Sequence, residues 1–311
     1  MPYTIFDGHA DTISVLFDKN QKLYENTCHI DLRRMKNNKH VQFFAAFIDA
    51  KNSFLPPFER AMSLVRLYHN EISQNANYIM HCNSYKDILK ALSLGKTASL
   101  LSLEGGEALS GRLENLRVFF DLGVRMINLC WNYQNDLASG VLAEEDKGLS
   151  EFGGQVIEAM NNLGMIVDVS HMSEKSFWDT IQKTKKPLMA SHSNAYAIKK
   201  HPRNLKDSQI KAIIKNGGLI GINLYTEFLC DGECNLTSVL NHIEHILALG
   251  GEENIAFGSD FDGMESLPDG INSISDVSKI VDEMKRIGYQ DDLIEKITHK
   301  NFFRLAEFVL K

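Results

Sequence analysis

His9 and Asp11 stand two residues apart, directly after the short apolar run Thr4 to Phe6. In an extended segment residues i and i+2 point the same way, so an imidazole and a carboxylate at that spacing can reach one ion. Taken alone, the pair would serve equally well as a capping Asp beside a surface His. Its company changes the balance. Glu104 follows the apolar run Ala98 to Leu103, and His171 follows Met165 to Val169 as Ser170-His171. His192 follows Pro187 to Ala190 as Ser191-His192, and Asp260 follows Ile255 to Gly258 in Gly258-Ser259-Asp260-Phe261-Asp262-Gly263. Three imidazoles and three carboxylates therefore each stand at the end of an apolar run.

Imidazole and carboxylate together suit zinc, and this set is large enough for a dinuclear site. Glu104 could give one oxygen to each of two ions, and Gly105-Gly106 behind it would let the backbone crowd the site. A carboxylate beside a metal-activated water can accept its proton and later pass it on, which is the role Asp260 suits. Asp262, two residues farther, would need a bulge to reach. The other histidines read as structural. His242 and His245 fall on a predicted helix as His-Ile-Glu-His, which is neither of the metalloprotease helix patterns, and His29, His40, His69, His81 and His299 are no better placed. Five scattered cysteines do not form a disulfide framework. Cys230 and Cys234, with three residues between them, read as ordinary loop thiols.

The elements that must position these groups are legible as apolar runs alternating with helical stretches. The runs cover 4–6, 41–48, 98–103, 124–130, 165–169, 187–190, 218–224 and 255–258. Buried parallel strands read this way. Between them lie periodic stretches with helix stops, such as 150–163 ending at Gly164, 207–216 ending at Gly217 and 236–249 ending at Gly250. Eight strands alternating with helices predict an α/β fold of the (β/α)8 TIM-barrel type, one domain over residues 1–311 with extra C-terminal helices. Active sites of such barrels lie at the C-terminal ends of the strands, where all six side chains fall.

Composition excludes several partners. The sequence is 44% hydrophobic and 23% charged, with a net charge of −7. Phosphate backbones require clustered Lys and Arg, so nucleic acid is not an expected partner. The N-terminus lacks the basic and apolar regions of a signal peptide, and no apolar run approaches the ~18 residues of a membrane span. The expectation is a cytoplasmic protein with no membrane partner.

Six ordered motifs, Asp7-Gly8-His9-Ala10-Asp11-Thr12, Glu104-Gly105-Gly106, Asp168-Val169-Ser170-His171, Ser191-His192-Ser193-Asn194-Ala195, Pro202-Arg203-Asn204 and Gly258 to Gly263, together resemble the membrane (renal) dipeptidase family of dizinc metallopeptidases, of the amidohydrolase type. The resemblance runs from about residue 5 to 265. It implies a dipeptide substrate, L,L or L,D, and two Zn²⁺ per chain sharing a bridging hydroxide. It implies His9 and Asp11 on the first zinc, Glu104 bridging, His171 and His192 on the second, and Asp260 as general acid/base. Arg203 would grip the substrate carboxylate, which suits its planar fork, and Tyr225 would assist. Homodimers are common in the family. One position departs from it: where animal members carry a His at the end of strand four, this sequence has Trp131, whose indole donates one hydrogen bond and does not titrate. That departure keeps open another metal hydrolase of the same class, acting on acyl-amino acids, lactones or amino groups.

Overall fold

The computed structural model describes residues 3–51 and 53–310. Its strands are β1 (Thr4–Asp7), β2 (Lys39–Phe47), β3 (Ile79–His81), β4 (Thr97–Glu104), β5 (Val124–Asn128), β6 (Ile166–Asp168), β7 (Met189–Ala190), β8 (Leu219–Ile222) and β9 (Ile255–Phe257). All pair in parallel. Each strand except β3 pairs with two barrel neighbours, and the ring closes where β1 meets β9 at Asp7 and Phe257. This is the expected (β/α)8 barrel. Among the described residues no helix is long and apolar enough to cross a membrane.

The short β3 has no counterpart among the apolar runs of the sequence. It pairs with Thr97 to Ser99, the first part of β4, on the edge that β5 takes over from Leu101 onward. Three residues of Ile-Met-His are too few to carry a pattern of alternation.

The barrel interior shows why the strands alternate. One residue or two from each of the eight barrel strands enters a single inner cluster: Phe6, Val41 and Phe43, Ala98 and Leu100, Met126, Ile166, Met189, Leu219 and Ala256. Their neighbours Ile5, Phe44, Leu101 and Ile127 belong to the outer cluster under the helices. The final helix, Asn301–Val309, adds Phe302 to the inner cluster. Phe302 stacks on Phe6 with ring centroids 3.7 Å apart and meets Phe43 edge-on at 5.9 Å. The Asn301 amide ties this helix to β9 by donating to the carbonyl of Ile255 at 2.9 Å. Ahead of it, Asp291–Glu295 runs through a π-helical turn at Lys296–Lys300 into Asn301.

The strands β5, β6, β8 and β9 end earlier than their apolar runs. At β1, β5 and β6 the last residue is Asp7, Asn128 or Asp168, and its side chain accepts the backbone N–H two residues on, from His9, Cys130 and Ser170. Asn223, just after β8, does the same with Tyr225 at 2.7 Å. These Asx turns divert the backbone from the sheet ladder and start the loops of the upper rim.

The thiol expectation needs one correction. Cys230 and Cys234 are joined by a disulfide, with Cα atoms 5.9 Å apart, in the loop after the short helix Thr226–Leu229. A Gly-containing loop of three intervening residues brings the two sulfurs together, and spacing alone does not disclose it.

If Phe302 plugs the barrel interior, truncating it leaves a cavity that the two remaining rings, Phe6 and Phe43, cannot refill. Phe302→Ala is expected to destabilise the protein by about 3–5 kcal/mol, read as a lower urea midpoint with unchanged slope. A loss under 1 kcal/mol would show that the plug is not structural.

Candidate metal centre

All six residues singled out by position come together at the C-terminal ends of the strands. His9 leaves β1 with its Nε2 3.3 Å from Asp11 Oδ2, 3.3 Å from Glu104 Oε2 and 4.0 Å from Asp260 Oδ1. The other oxygen of Glu104, Oε1, lies 2.9 Å from His171 Nε2 and 3.7 Å from His192 Nε2. The two latter imidazoles face each other at 2.7 Å. Glu104 thus stands between two donor pairs and turns one oxygen to each. All six residues are buried.

The capping alternative for Asp11 fails on geometry. Asp11 occupies the N-cap position of helix Thr12–Lys19, yet its side chain makes no capping hydrogen bond. Among the described residues, Asp11 Oδ1 and both ring nitrogens of His9 are buried without a hydrogen-bond partner. Buried polar atoms are rarely left so, and His9, Asp11 and Asp260 bring one ligand atom each within 4.8 Å of one another, which fits a metal ion.

The outer nitrogens of the two remaining imidazoles are engaged. His171 Nδ1 meets Asn132 Oδ1 at 2.7 Å and His192 Nδ1 meets Ser191 Oγ at 2.7 Å, which turns each Nε2 inward. Such partners fix tautomer and ring orientation at metal sites. Ser191 is itself held by Asp168, whose Oδ1 accepts its N–H at 3.0 Å and whose Oδ2 accepts its hydroxyl. Asp7 makes the same pair of contacts with Ser259. Asp7 and Asp168 therefore each clamp the strand-end serine that precedes a site residue on the next strand.

Backbone conformation is unusual at the same places. His171 and Asp260 have φ of 67° and 64°, in the left-handed region that bulky residues avoid. A Cβ on Gly258 would lie 1.7 Å from the Ser191 carbonyl oxygen, and one on Gly221 would lie 2.0 Å from it. The peptide before His192 can occupy its place only because β8 and the end of β9 lack side chains there.

Asp260 is gripped from one side: Asn223 Nδ2 donates to its Oδ2 at 2.8 Å. Asp262 does not reach the centre. It accepts the hydroxyl of Thr12 at 2.6 Å and the N–H of His29 at 2.6 Å, while its own N–H donates to His29 Nδ1. His29 is thus a loop clamp, as its reading as structural implied. Buried His242 likewise binds backbone, accepting from Ala195 N–H and meeting the Leu229 carbonyl.

Protonation divides the site. Burial raises the Asp11 carboxyl to about 7, helped by the charge of Glu104, and raises Asp260 to about 6. Burial would lower His9, but Glu104 and Asp11 outweigh it and hold the imidazole well above its usual value. Glu104 is held low, its burial outweighed by His9 and His171. Burial draws His171 down to about 3 and His192 down as well, so both stay neutral.

A cavity of about 450 Å³ opens onto this cluster. Arg203, Tyr225 and Trp131 all line it. Arg203 is buried, donates through Nη2 to the His192 carbonyl at 3.1 Å, and leaves Nε unpaired. Trp131 packs edge-on against Phe47 at 5.3 Å and lies 6.1 Å from the His171 ring.

The family model for membrane dipeptidase, peptidase family M19, matches residues 2–310. The chain belongs to that family. An uncharacterized dipeptidase of Schizosaccharomyces pombe is 34% identical over 284 residues, 85% of this chain and 68% of its own. The metallopeptidase dipeptidase AC superimposes with a TM-score of 0.92 at 27% identity, covering 100% of this chain and 99% of the other. A metallopeptidase of Rhodobacter sphaeroides, liganded with a phosphinate mimic of the dipeptide L-Ala-D-Ala, gives 0.92 at 25% identity over 99% and 100%. The protein is an M19 metallo-dipeptidase, and the buried groups His9, Glu104 and His192, and His9, Asp11 and Asp260, could hold a metal ion.

In this dipeptidase, His9 and Asp11 are the groups that still hold protons near neutrality. Metal must displace those protons. The zinc affinity of the metal-free protein is therefore expected to rise from pH 5.5 through about 7 and to keep rising until His9, held well above its usual value, has lost its proton, with proton release over that whole range. Asp11→Asn should weaken binding and make the profile less steep, since only the His9 proton then remains to be displaced. Chelator competition across this range checks it, and pH-independent affinity would contradict it.

Proposed function

We propose that the protein hydrolyses dipeptides, L,L and L,D, with two zinc ions, acting as one barrel unit. The observation that carries this reading is Glu104, whose two oxygens face two separate donor pairs. On this reading His9 and Asp11 would hold one ion and His171 and His192 the other, with Glu104 offering an oxygen to each. When bound, the pair lowers the pKa of a water and polarises the scissile carbonyl.

The remaining work falls to side chains of the cavity. Asp260, raised to about 6 by burial and oriented by Asn223, is poised to exchange a proton near neutrality. It accepts the proton of the attacking water and delivers it to the leaving amine. Arg203 is a fixed cation, and its guanidinium takes the C-terminal carboxylate. Burial and the nearby Glu265 and Glu227 hold the Tyr225 phenol protonated, so it can only donate to a substrate oxygen or accept from an amine. The phosphinate mimic bound by the Rhodobacter sphaeroides protein carries a D residue at its C-terminal end, which supports L,D substrates here.

Trp131 does not titrate, and Asn132 is engaged through Oδ1 by His171. A different bond, in an acyl-amino acid or a lactone, has no specific feature of this cavity in its favour.

Asp260→Asn keeps the shape and removes the proton acceptor. It is expected to retain two zinc ions per chain and lose about 10²–10⁴-fold in kcat on L-Ala-L-Ala and L-Ala-D-Ala. Metal analysis and a ninhydrin assay of released amino acid read both. Wild-type turnover by this variant would show that another group moves the proton.

A further inference from the structure

Beside the substrate cavity lies a second chamber of about 320 Å³. Among the described residues Trp131 is the one that lines both. Its ring is braced edge-on by Phe47 at 5.3 Å on the cavity side and by Tyr133 at 5.6 Å on the chamber side. Tyr133 is in turn covered by Lys51, whose Nζ sits 3.2 Å from the ring centroid. The indole is therefore a wall one ring thick, held by two aromatic neighbours.

Strand order says which end of a substrate meets this wall. Around the barrel the strands run β1, β2, β4, β5, β6, β7, β8, β9. Phe47 ends β2, which lies opposite β7, and Arg203 follows β7. Trp131 follows β5, which lies opposite β9. A dipeptide with its carboxylate on Arg203 thus turns its N-terminal residue toward Phe47 and the Trp131 indole that packs against it.

We propose that Trp131 sets the size limit for the N-terminal side chain of the substrate by closing off the adjoining chamber. This rests on the dipeptidase reading above. The chamber itself is not apolar throughout: Glu107 lines it and has one carboxylate oxygen buried without a partner. A side chain passing the position of the indole enters a space lined by Ile48, Pro57 and Tyr133 and by the polar Gln134, Asn135 and Glu107.

The test compares kcat/KM for L-Ala-D-Ala and L-Trp-D-Ala in wild type, Trp131→Ala and Trp131→Phe. Wild type should favour the small substrate. Trp131→Ala should move the Trp-to-Ala ratio upward by at least about tenfold, the scale on which pocket volume discriminates. Trp131→Phe keeps a ring but removes the indole N–H, and its ratio should stay within about threefold of wild type. Ki values of phosphinate analogues with small and large N-terminal side chains give the same comparison where turnover is weak. An unchanged ratio and unchanged relative Ki in Trp131→Ala overturn the size-limit proposal and leave the dipeptidase reading standing. If both variants lose kcat equally on all substrates with the ratio fixed, the indole acts as a hydrogen-bond donor instead. Failure of wild type to cleave any dipeptide removes both readings.

Discussion

Glu104 is a buried carboxylate at the top of a fully buried strand, and each of its oxygens faces a different imidazole group at 2.9–3.3 Å. Burial of such a charge is expensive without compensation. Here Asp11 and Asp260 lie close by, so the local excess is negative rather than balanced. The imidazoles do not cancel it, because His171 and His192 are neutral. The protein tolerates this concentration of charge by holding protons on Asp11 and His9. Divalent ions would replace those protons with a larger positive charge. Much of the surrounding geometry follows from keeping these oxygens and nitrogens at one point.

That geometry is built from small devices repeated around the rim. Asp7, Asn128, Asp168 and Asn223 each end or follow a strand and each take the N–H two residues ahead. Each turn aims the next residues inward over the barrel mouth. Asp7 and Asp168 also reach the neighbouring strand end, so adjacent loops are locked to one another. Glycines at 221 and 258 make room for the Ser191 carbonyl and hence for His192. The left-handed conformations of His171 and Asp260 cost about 1–3 kcal/mol each, and the surrounding hydrogen bonds and packing over-determine them.

The barrel and the six principal residues were legible in the sequence because each physical requirement left a local mark. A buried parallel strand must be apolar, and an active site in this fold must follow it, so polar residues such as His171 and Asp260 stand out by position. The Asx turns were less visible. Asp7 and Asp168 sit inside the quoted motifs, yet nothing local distinguishes a clamp from a ligand. Strand ends were misread for the same reason: Leu129 and Cys130 are apolar and buried, but the Asn128 side chain has already diverted the backbone. The short β3, the π-helical turn and the Cys230–Cys234 disulfide depend on contacts made by the rest of the fold, which no spacing encodes.

Trp131 shows how chemistry and specificity can occupy one rim without sharing residues. The candidate metal donors come from the end of β4 and the loops after β1, β6 and β7, and hydrogen bonds fix the rings of His171 and His192. Trp131 lies between those loops but is braced by ring contacts with Phe47 and Tyr133. Ring packing tolerates volume changes that a hydrogen-bonded carboxylate clamp does not, since no buried polar partner is stranded when a ring is replaced. Its neighbour Asn132 cannot vary as freely, because its amide oxygen orients His171. Two adjacent residues on one loop therefore carry opposite constraints: the first can change with the substrate, and the second is tied to the ring of His171.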